Sequence, residues 1–201
     1  RILDFDPAGQ LVRCQPGVAT GALQAFAEEQ GLFYPVDFAS SGSSQLGGNV
    51  ATNAGGIKVI RYGMTRDWIA GLRVVTGRGD VLDVGRGLVK NATGYDLRHL
   101  LVGSEGTLGL ITEVTVRLRR PPGPLSVLVL GVPEFPVVMD VLAAFQARTD
   151  VTAFEFFSEL ALAKVVERTG LPRPFETACP FYVLIEFEQG NDAEAALTAF
   201  E

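Results

Sequence analysis

Histidine, cysteine and net positive charge are what this sequence has least of. A single histidine, His99, cannot build an imidazole metal site alone, and no second one can serve as a partner base. The two cysteines, Cys14 and Cys179, are far apart and in no CxxC spacing, so a metal knuckle or redox pair is unsupported and two small buried thiols are expected. With 17 basic against 23 acidic residues the net charge is -6, which disfavours nucleic acid and anionic membranes as partners. No apolar run reaches the roughly 18 residues of a membrane-spanning helix. The opening Arg1-Ile2-Leu3-Asp4-Phe5-Asp6 has no signal-peptide pattern and reads as mid-strand, so further chain is expected ahead of it. A cytoplasmic location is expected.

Hydrophobic residues, by contrast, make up 47% of 201 positions, enough to bury a sizeable core. Ile2–Phe5 and Leu11–Cys14 read as a hairpin around Asp6-Pro7-Ala8-Gly9. Thr20 is placed to cap a helix running to Gln30, with Leu23, Phe26 and Ala27 inward and Gly31 ending it. Leu32 to Asp37 is short and extended. Leu46, Val50 and Ala54, four apart, suit one short helix between two glycine loops. Ile69–Thr76 and Asp80–Val84 read as a hairpin, Tyr95–Val102 as a helix, and Gly109–Arg119 as an alternating strand.

Pro121-Pro122-Gly123-Pro124 is the strongest boundary signal, dividing the chain into 1–122 and 123–201. Beyond it strands at 125–132, 151–157 and 181–187 alternate with helices at 137–148, 159–168 and from Asp192 to Glu201. That order suits a ferredoxin-like α+β domain.

Candidate chemistry concentrates between Pro35 and Ile111. In Gly47-Gly48-Asn49-Val50-Ala51-Thr52-Asn53-Ala54-Gly55-Gly56, paired glycines let backbone approach a ligand closely, and amides at a helix start favour an anion without any Lys or Arg. Gly103-Ser104-Glu105-Gly106-Thr107-Leu108-Gly109 is a second loop of this kind, feeding a strand. A phosphate or nucleotide site and mere tight turns both remain open on residue types alone. Neither loop has the Gly-x-Gly-x-x-Gly order of a dinucleotide Rossmann turn or the Gly-Lys-Ser/Thr ending of an NTPase loop, so NAD binding and ATP hydrolysis are disfavoured. His99 reads as packed or surface. Phe154, Phe156 and Phe157 read as strand and core residues, and Glu186 and Glu188 as one solvated strand face. Lys90 and Arg98 are as readily surface charges as anion ligands.

Pro35-Val36-Asp37, Leu46 through Gly56, and Arg61-Tyr62-Gly63 resemble the FAD-binding domain of the vanillyl-alcohol oxidase type. Asn91-Ala92-Thr93-Gly94-Tyr95-Asp96-Leu97 and Gly103 through Thr112 narrow the resemblance to the branch with D-lactate dehydrogenase, D-2-hydroxyglutarate dehydrogenase and the glycolate oxidase flavin subunit. It runs from Arg1 to about Pro122, more weakly beyond Pro124. The resemblance implies an α+β chain: the C-terminal part of such an FAD-binding domain over 1–122, then the start of a ferredoxin-like substrate domain over 123–201, both incomplete.

It further implies an FAD-dependent dehydrogenase. Such an enzyme oxidises a D-2-hydroxy acid to the 2-oxo acid by hydride transfer from Cα to flavin N5, with electrons passing on to a quinone, a cytochrome, an electron-transfer flavoprotein or oxygen. Pro35, Gly47, Gly48, Asn49, Thr52, Asn53, Gly55, Tyr62 and Gly63 are expected to line the flavin and diphosphate. Glu105, Gly106, Gly109 and Ile111 are expected along the ribityl or adenosine part. No catalytic residue and no metal ligand is assigned, since the family's divalent-metal histidines and its base lie outside this sequence. The chain alone is expected to be inactive and to hold FAD weakly. A non-catalytic flavin-fold scaffold or electron-relay subunit, a flavin-free binding module, and an aldonolactone oxidase of the same fold are the competing expectations. Oligomerisation is compatible with all of them.

Overall fold

A computed structural model of the chain describes residues 1–85, 87–88 and 90–189. It divides into two compact units, Arg1–Pro121 and Pro122–Glu201. The helix expected from Asp192 to Glu201 lies outside the described residues.

Unit one is a five-stranded antiparallel sheet with helices packed on one face. Its strands are β1 (Ile2–Asp6), β2 (Leu11–Cys14), β3 (Ile69–Val75), β4 (Val81–Val84) and β5 (Leu110–Arg117), in the order β1-β2-β5-β3-β4. Alternation sorts the two faces. Val12, Cys14, Leu72, Val74, Val84, Val114 and Val116 turn inward and are buried. The alternate positions carry an ion-pair row: Arg13 reaches Asp4 and Glu113, and Arg73 reaches Glu113 and Asp83, at 2.7 to 3.8 Å. These pairs are exposed, so they fix register more than they stabilise. Burial pushes the Cys14 thiol up to about 11, slightly opposed by the N-terminal ammonium, which leaves it an unreactive core group.

The inner face is covered by α1 (Thr20–Glu29) and α2 (Leu46–Thr52), whose Leu23, Ala27, Leu46 and Val50 are fully buried. Two sequence expectations need correction here. Thr20 is the first helical residue rather than the cap; Ala19 holds the cap position, and the Thr20 hydroxyl bonds the Ser44 hydroxyl at 2.6 Å. Ala54 falls outside α2, because Asn53 takes a left-handed conformation and ends it. Two one-turn helices, α3 (Val59–Tyr62) and α4 (Thr65–Trp68), precede β3, and α5 is only Arg98–Leu101. Tyr95 lies outside α5 and is 95% exposed.

Unit two pairs β6 (Leu125–Val132), β7 (Val151–Ser158) and β8 (Phe181–Glu188) in the order β6-β8-β7, antiparallel throughout. Strands β6 and β7 therefore run parallel with β8 between them. Joined by α6 (Phe135–Gln146), they form the split βαβ of ferredoxin-like folds. Val138, Val141 and Phe145 of α6 pack on Val183, Ile185 and Phe187. Phe156, expected in the core, is half exposed, while Phe154 packs partly against it. Glu186 is half-buried and accepts a 2.6 Å hydrogen bond from Thr152.

Helix α7 (Glu159–Thr169) is capped by Ser158, whose hydroxyl accepts from the Ala161 amide. Its first residue, Glu159, accepts from Arg173 and from the fully buried Tyr182, whose hydroxyl also accepts from the Cys179 amide. The Arg173 hydrogen bond, then that of Tyr182, holds the Glu159 carboxyl below the usual carboxylate range. A carboxyl depressed on folding contributes stability above its unfolded value of about 4.3, and that contribution disappears as pH falls through the folded value. Thermal melts of Arg173→Gln should therefore fall below those of the parent at neutral pH and converge with them in acid. A gap that persists unchanged at acid pH would contradict the assignment.

Candidate functional site

The two glycine-rich segments meet at one cleft of about 260 Å3 in unit one. Gly47 and Gly48 come from the first turn of α2, Gly106 and Gly109 from the loop that feeds β5, and Ile111 from the start of that strand. Backbone hydrogen bonds hold helix α2 at both ends. At its start the Leu46 and Gly47 amides donate to the carbonyls of Val18 and Pro16, at 2.9 and 2.8 Å. At its end the Val50 and Ala51 carbonyls accept from the Gly103 and Glu105 amides, at 3.0 and 2.9 Å. That last bond holds Glu105 at φ 50, a left-handed conformation that a non-glycine residue keeps only when its surroundings impose it.

No charged side chain lines the cleft. Among the described residues the amides of Gly48 and Gly106 find no acceptor. A side chain at Gly48 would meet nothing within 4 Å, so packing does not require glycine there, and helix propensity opposes it. Gly106 sits at φ +78 over equally open space. The cleft thus offers bare, unpaired peptide dipoles, which suit an anionic or strongly polar ligand approached at van der Waals distance.

Other glycines in the same motif serve packing. A Cβ on Gly56 would lie 1.8 Å from the Asp37 carbonyl oxygen, and one on Gly47 would meet Pro16 at 2.5 Å. Pro35-Val36-Asp37 is pinned there: Gln24 donates to the Val36 carbonyl, and the Ile57 amide to that of Asp37.

Eight residues named from sequence do not line the cleft. Pro35 is buried. Asn49 is buried, and its amide donates to Thr20 at 2.8 Å, tying α2 to α1. The Thr52 hydroxyl bonds the Gly48 carbonyl. The Asn53 side chain accepts the Arg66 amide at 3.0 Å, joining α2 to α4. Gly55 packs toward Val59 and Met64. Tyr62 is buried beneath the Arg119 guanidinium, and Gly63, at φ +73, abuts Asp67. Glu105 acts through its backbone, as above. Conversely, Pro16, Gly17, Gln45, Ala51 and Leu110 line the cleft and were not singled out from sequence. The Pro16-Gly17 turn directly after β2 was their one legible signal.

Among the described residues no cluster of His, Cys, Asp and Glu is placed to hold a metal, and no helix is long and apolar enough to cross a membrane. His99 is half exposed, 3.7 Å from Asp96, whose carboxylate also pairs with Arg98.

Comparison with known proteins gives two family matches. Residues 1–85 match the FAD binding domain, and residues 122–200 the C-terminal domain of FAD linked oxidases. A D-2-hydroxyglutarate dehydrogenase of Stutzerimonas stutzeri is 61% identical over the whole chain, which covers 44% of that relative. The mitochondrial D-2-hydroxyglutarate dehydrogenase of Bos taurus is 41% identical over 96% of the chain and 36% of its own length. A D-2-hydroxyglutarate–pyruvate transhydrogenase of Saccharomyces cerevisiae is 33% identical over all of the chain and 41% of its own length. The chain thus spans less than half the length of these curated relatives. A solved alkyldihydroxyacetonephosphate synthase superposes over the whole chain, and 39% of its own, with TM-score 0.76 at 23% identity, a likeness of fold.

The glycines of one motif should separate on mutation. Gly56→Ala should lower the melting temperature, since the backbone of Asp37 must move. Gly48→Ala should leave it unchanged or raise it, because alanine is worth about 0.5–1 kcal/mol more than glycine within a helix. Equal destabilisation by both would show that Gly48, too, is a packing residue.

Proposed function

We propose that the chain is part of an FAD-linked flavoenzyme that oxidises a D-2-hydroxy acid, with D-2-hydroxyglutarate as substrate. The 61% identity to a D-2-hydroxyglutarate dehydrogenase supports the substrate class. The observation that carries the cofactor assignment is the unpaired, uncharged backbone cleft between Gly48 and Gly106. In a chain of net charge -6, peptide dipoles accommodate a diphosphate without adding a cationic patch. The cleft volume, about 260 Å3, lies just below the roughly 300 Å3 at which pockets for drug-sized ligands begin, so it takes part of a dinucleotide.

In this proposal Gly48 and Gly106 present amides to the diphosphate, and Gly47, Gly109 and Ile111 shape the walls around it. Asn49, Asn53 and Glu105 act at one remove, holding α2 and the 103–109 loop in register. Thr52, Gly55 and Gly63 build the adjoining surface for the rest of the cofactor, backed by the buried Pro35 and Tyr62. When bound, FAD supplies the two-electron chemistry, accepting a hydride from the substrate Cα as the 2-oxo acid forms. The domains are proposed as 1–122 for FAD and 123–201 for substrate. The electron acceptor is proposed to be a quinone, a cytochrome, an electron-transfer flavoprotein or a second oxo acid; pyruvate appears in the name of the yeast relative.

Anaerobic D-2-hydroxyglutarate should bleach the flavin absorbance of the FAD-loaded parent protein, and D-lactate or glycolate should do so more slowly. Gly48→Leu, a good helix former, should weaken FAD binding at least about tenfold, or 1.4 kcal/mol, with unchanged circular dichroism. Undiminished FAD affinity in Gly48→Leu would remove the cofactor assignment, and indifference to every 2-hydroxy acid would remove the substrate class.

A further inference from the structure

A second cavity of unit one shares no lining residue with the glycine cleft. Ile111 lines the cleft and Arg117 lines this cavity, six residues apart along β5. At the rise of an extended strand that separation is about 20 Å. The cavity encloses about 200 Å3 and collects Arg66 of α4, Arg98 and His99 of α5, and Arg117 at the end of β5. Liquid water takes about 30 Å3 per molecule, so a small oxyanion with some of its hydration fits.

The charges there are poorly matched from within. Arg98 is committed: it pairs with Asp96 and donates to the carbonyls of Ile69 and Ala70 at 2.9 and 3.2 Å. Asp67, the one carboxylate lining the cavity, already accepts the Met64 amide at 2.8 Å. Among the described residues the guanidinium groups of Arg66 and Arg117 make no hydrogen bond and no ion pair. Two uncommitted guanidiniums brought to one cavity repel each other, and among the described residues Asp67 forms an ion pair with neither. Guanidinium forks match planar carboxylates and phosphates, and converging forks select an anion with several oxygens.

We propose that the Arg66–Arg98–Arg117 cavity binds a small multivalent oxyanion, either phosphate or a dicarboxylate, at a site separate from the glycine cleft. Arg66 and Arg117 are its direct ligands. Arg98 is a positioning residue, fixed by Asp96 and the start of β3. The site does not depend on the flavin assignment.

Calorimetric titrations of the full chain at low ionic strength, one with inorganic phosphate and one with glutarate, test this; low salt avoids screening. Saturable binding of one anion per chain is expected, and whichever probe binds identifies the source. The double variant Arg66→Gln/Arg117→Gln should weaken it at least about tenfold, or 1.4 kcal/mol. Arg78→Gln, at the exposed tip of the β3–β4 hairpin, should leave binding unchanged. No saturable binding of either anion, equal binding by the double variant, or equal weakening by Arg78→Gln would each overturn the proposal. Should the double variant melt early, arginine-directed phenylglyoxal labelling of the unmodified protein decides. Selective protection of Arg66 and Arg117 by the anion supports the site, and protection no greater than at other arginines overturns it.

Discussion

Helix α2 is too short to hold itself together, and the candidate cofactor site exists only because its surroundings hold it. Seven residues give few internal hydrogen bonds, and isolated helices of that length are marginal in water. Burial of Leu46 and Val50 fixes one face. Backbone bonds from Pro16 and Val18 at one end, and from Gly103 and Glu105 at the other, fix the axis. Asn49, Thr20 and Ser44 form a hydrogen-bonded knot beneath it. With those constraints met, the 103–109 loop starts against the last turn of α2 and lines one cleft with Gly47 and Gly48 of its first turn.

Much of this was legible in the sequence wherever one rule acted alone. Alternation found β5, because Val114, Val116 and Leu118 face one core while Glu113 and Arg117 do not. The α+β class follows from those element orders, and the structural and family comparisons agree with it. Errors arose where tertiary contacts override local preference. Thr20 is a good capping residue whose hydroxyl is taken by Ser44. Tyr95 and Leu97 look helical but are exposed with nothing to pack on, so α5 begins only at Arg98.

The glycine motif was legible as a motif but not glycine by glycine. Composition cannot distinguish Gly56, which must admit the Asp37 carbonyl, from Gly48, which admits nothing in the chain. Nor can it show that Asn49 and Asn53 spend their amides on the fold. The two candidate anion sites also differ in kind. The cleft offers neutral dipoles over open space; the second cavity offers guanidiniums on three separate elements. Arginine spacing in the sequence, at 66, 98 and 117, gave no hint that the sheet brings them together.

Amide resolution is what the central claim calls for: proton–nitrogen spectra and hydrogen exchange of the glycine amides, recorded with and without FAD. The amides of Gly48 and Gly106 should shift and become protected from exchange when FAD binds, while that of Gly77, in the distant hairpin, stays as it was. FAD binding that leaves Gly48 and Gly106 exchanging as freely as before would contradict the account.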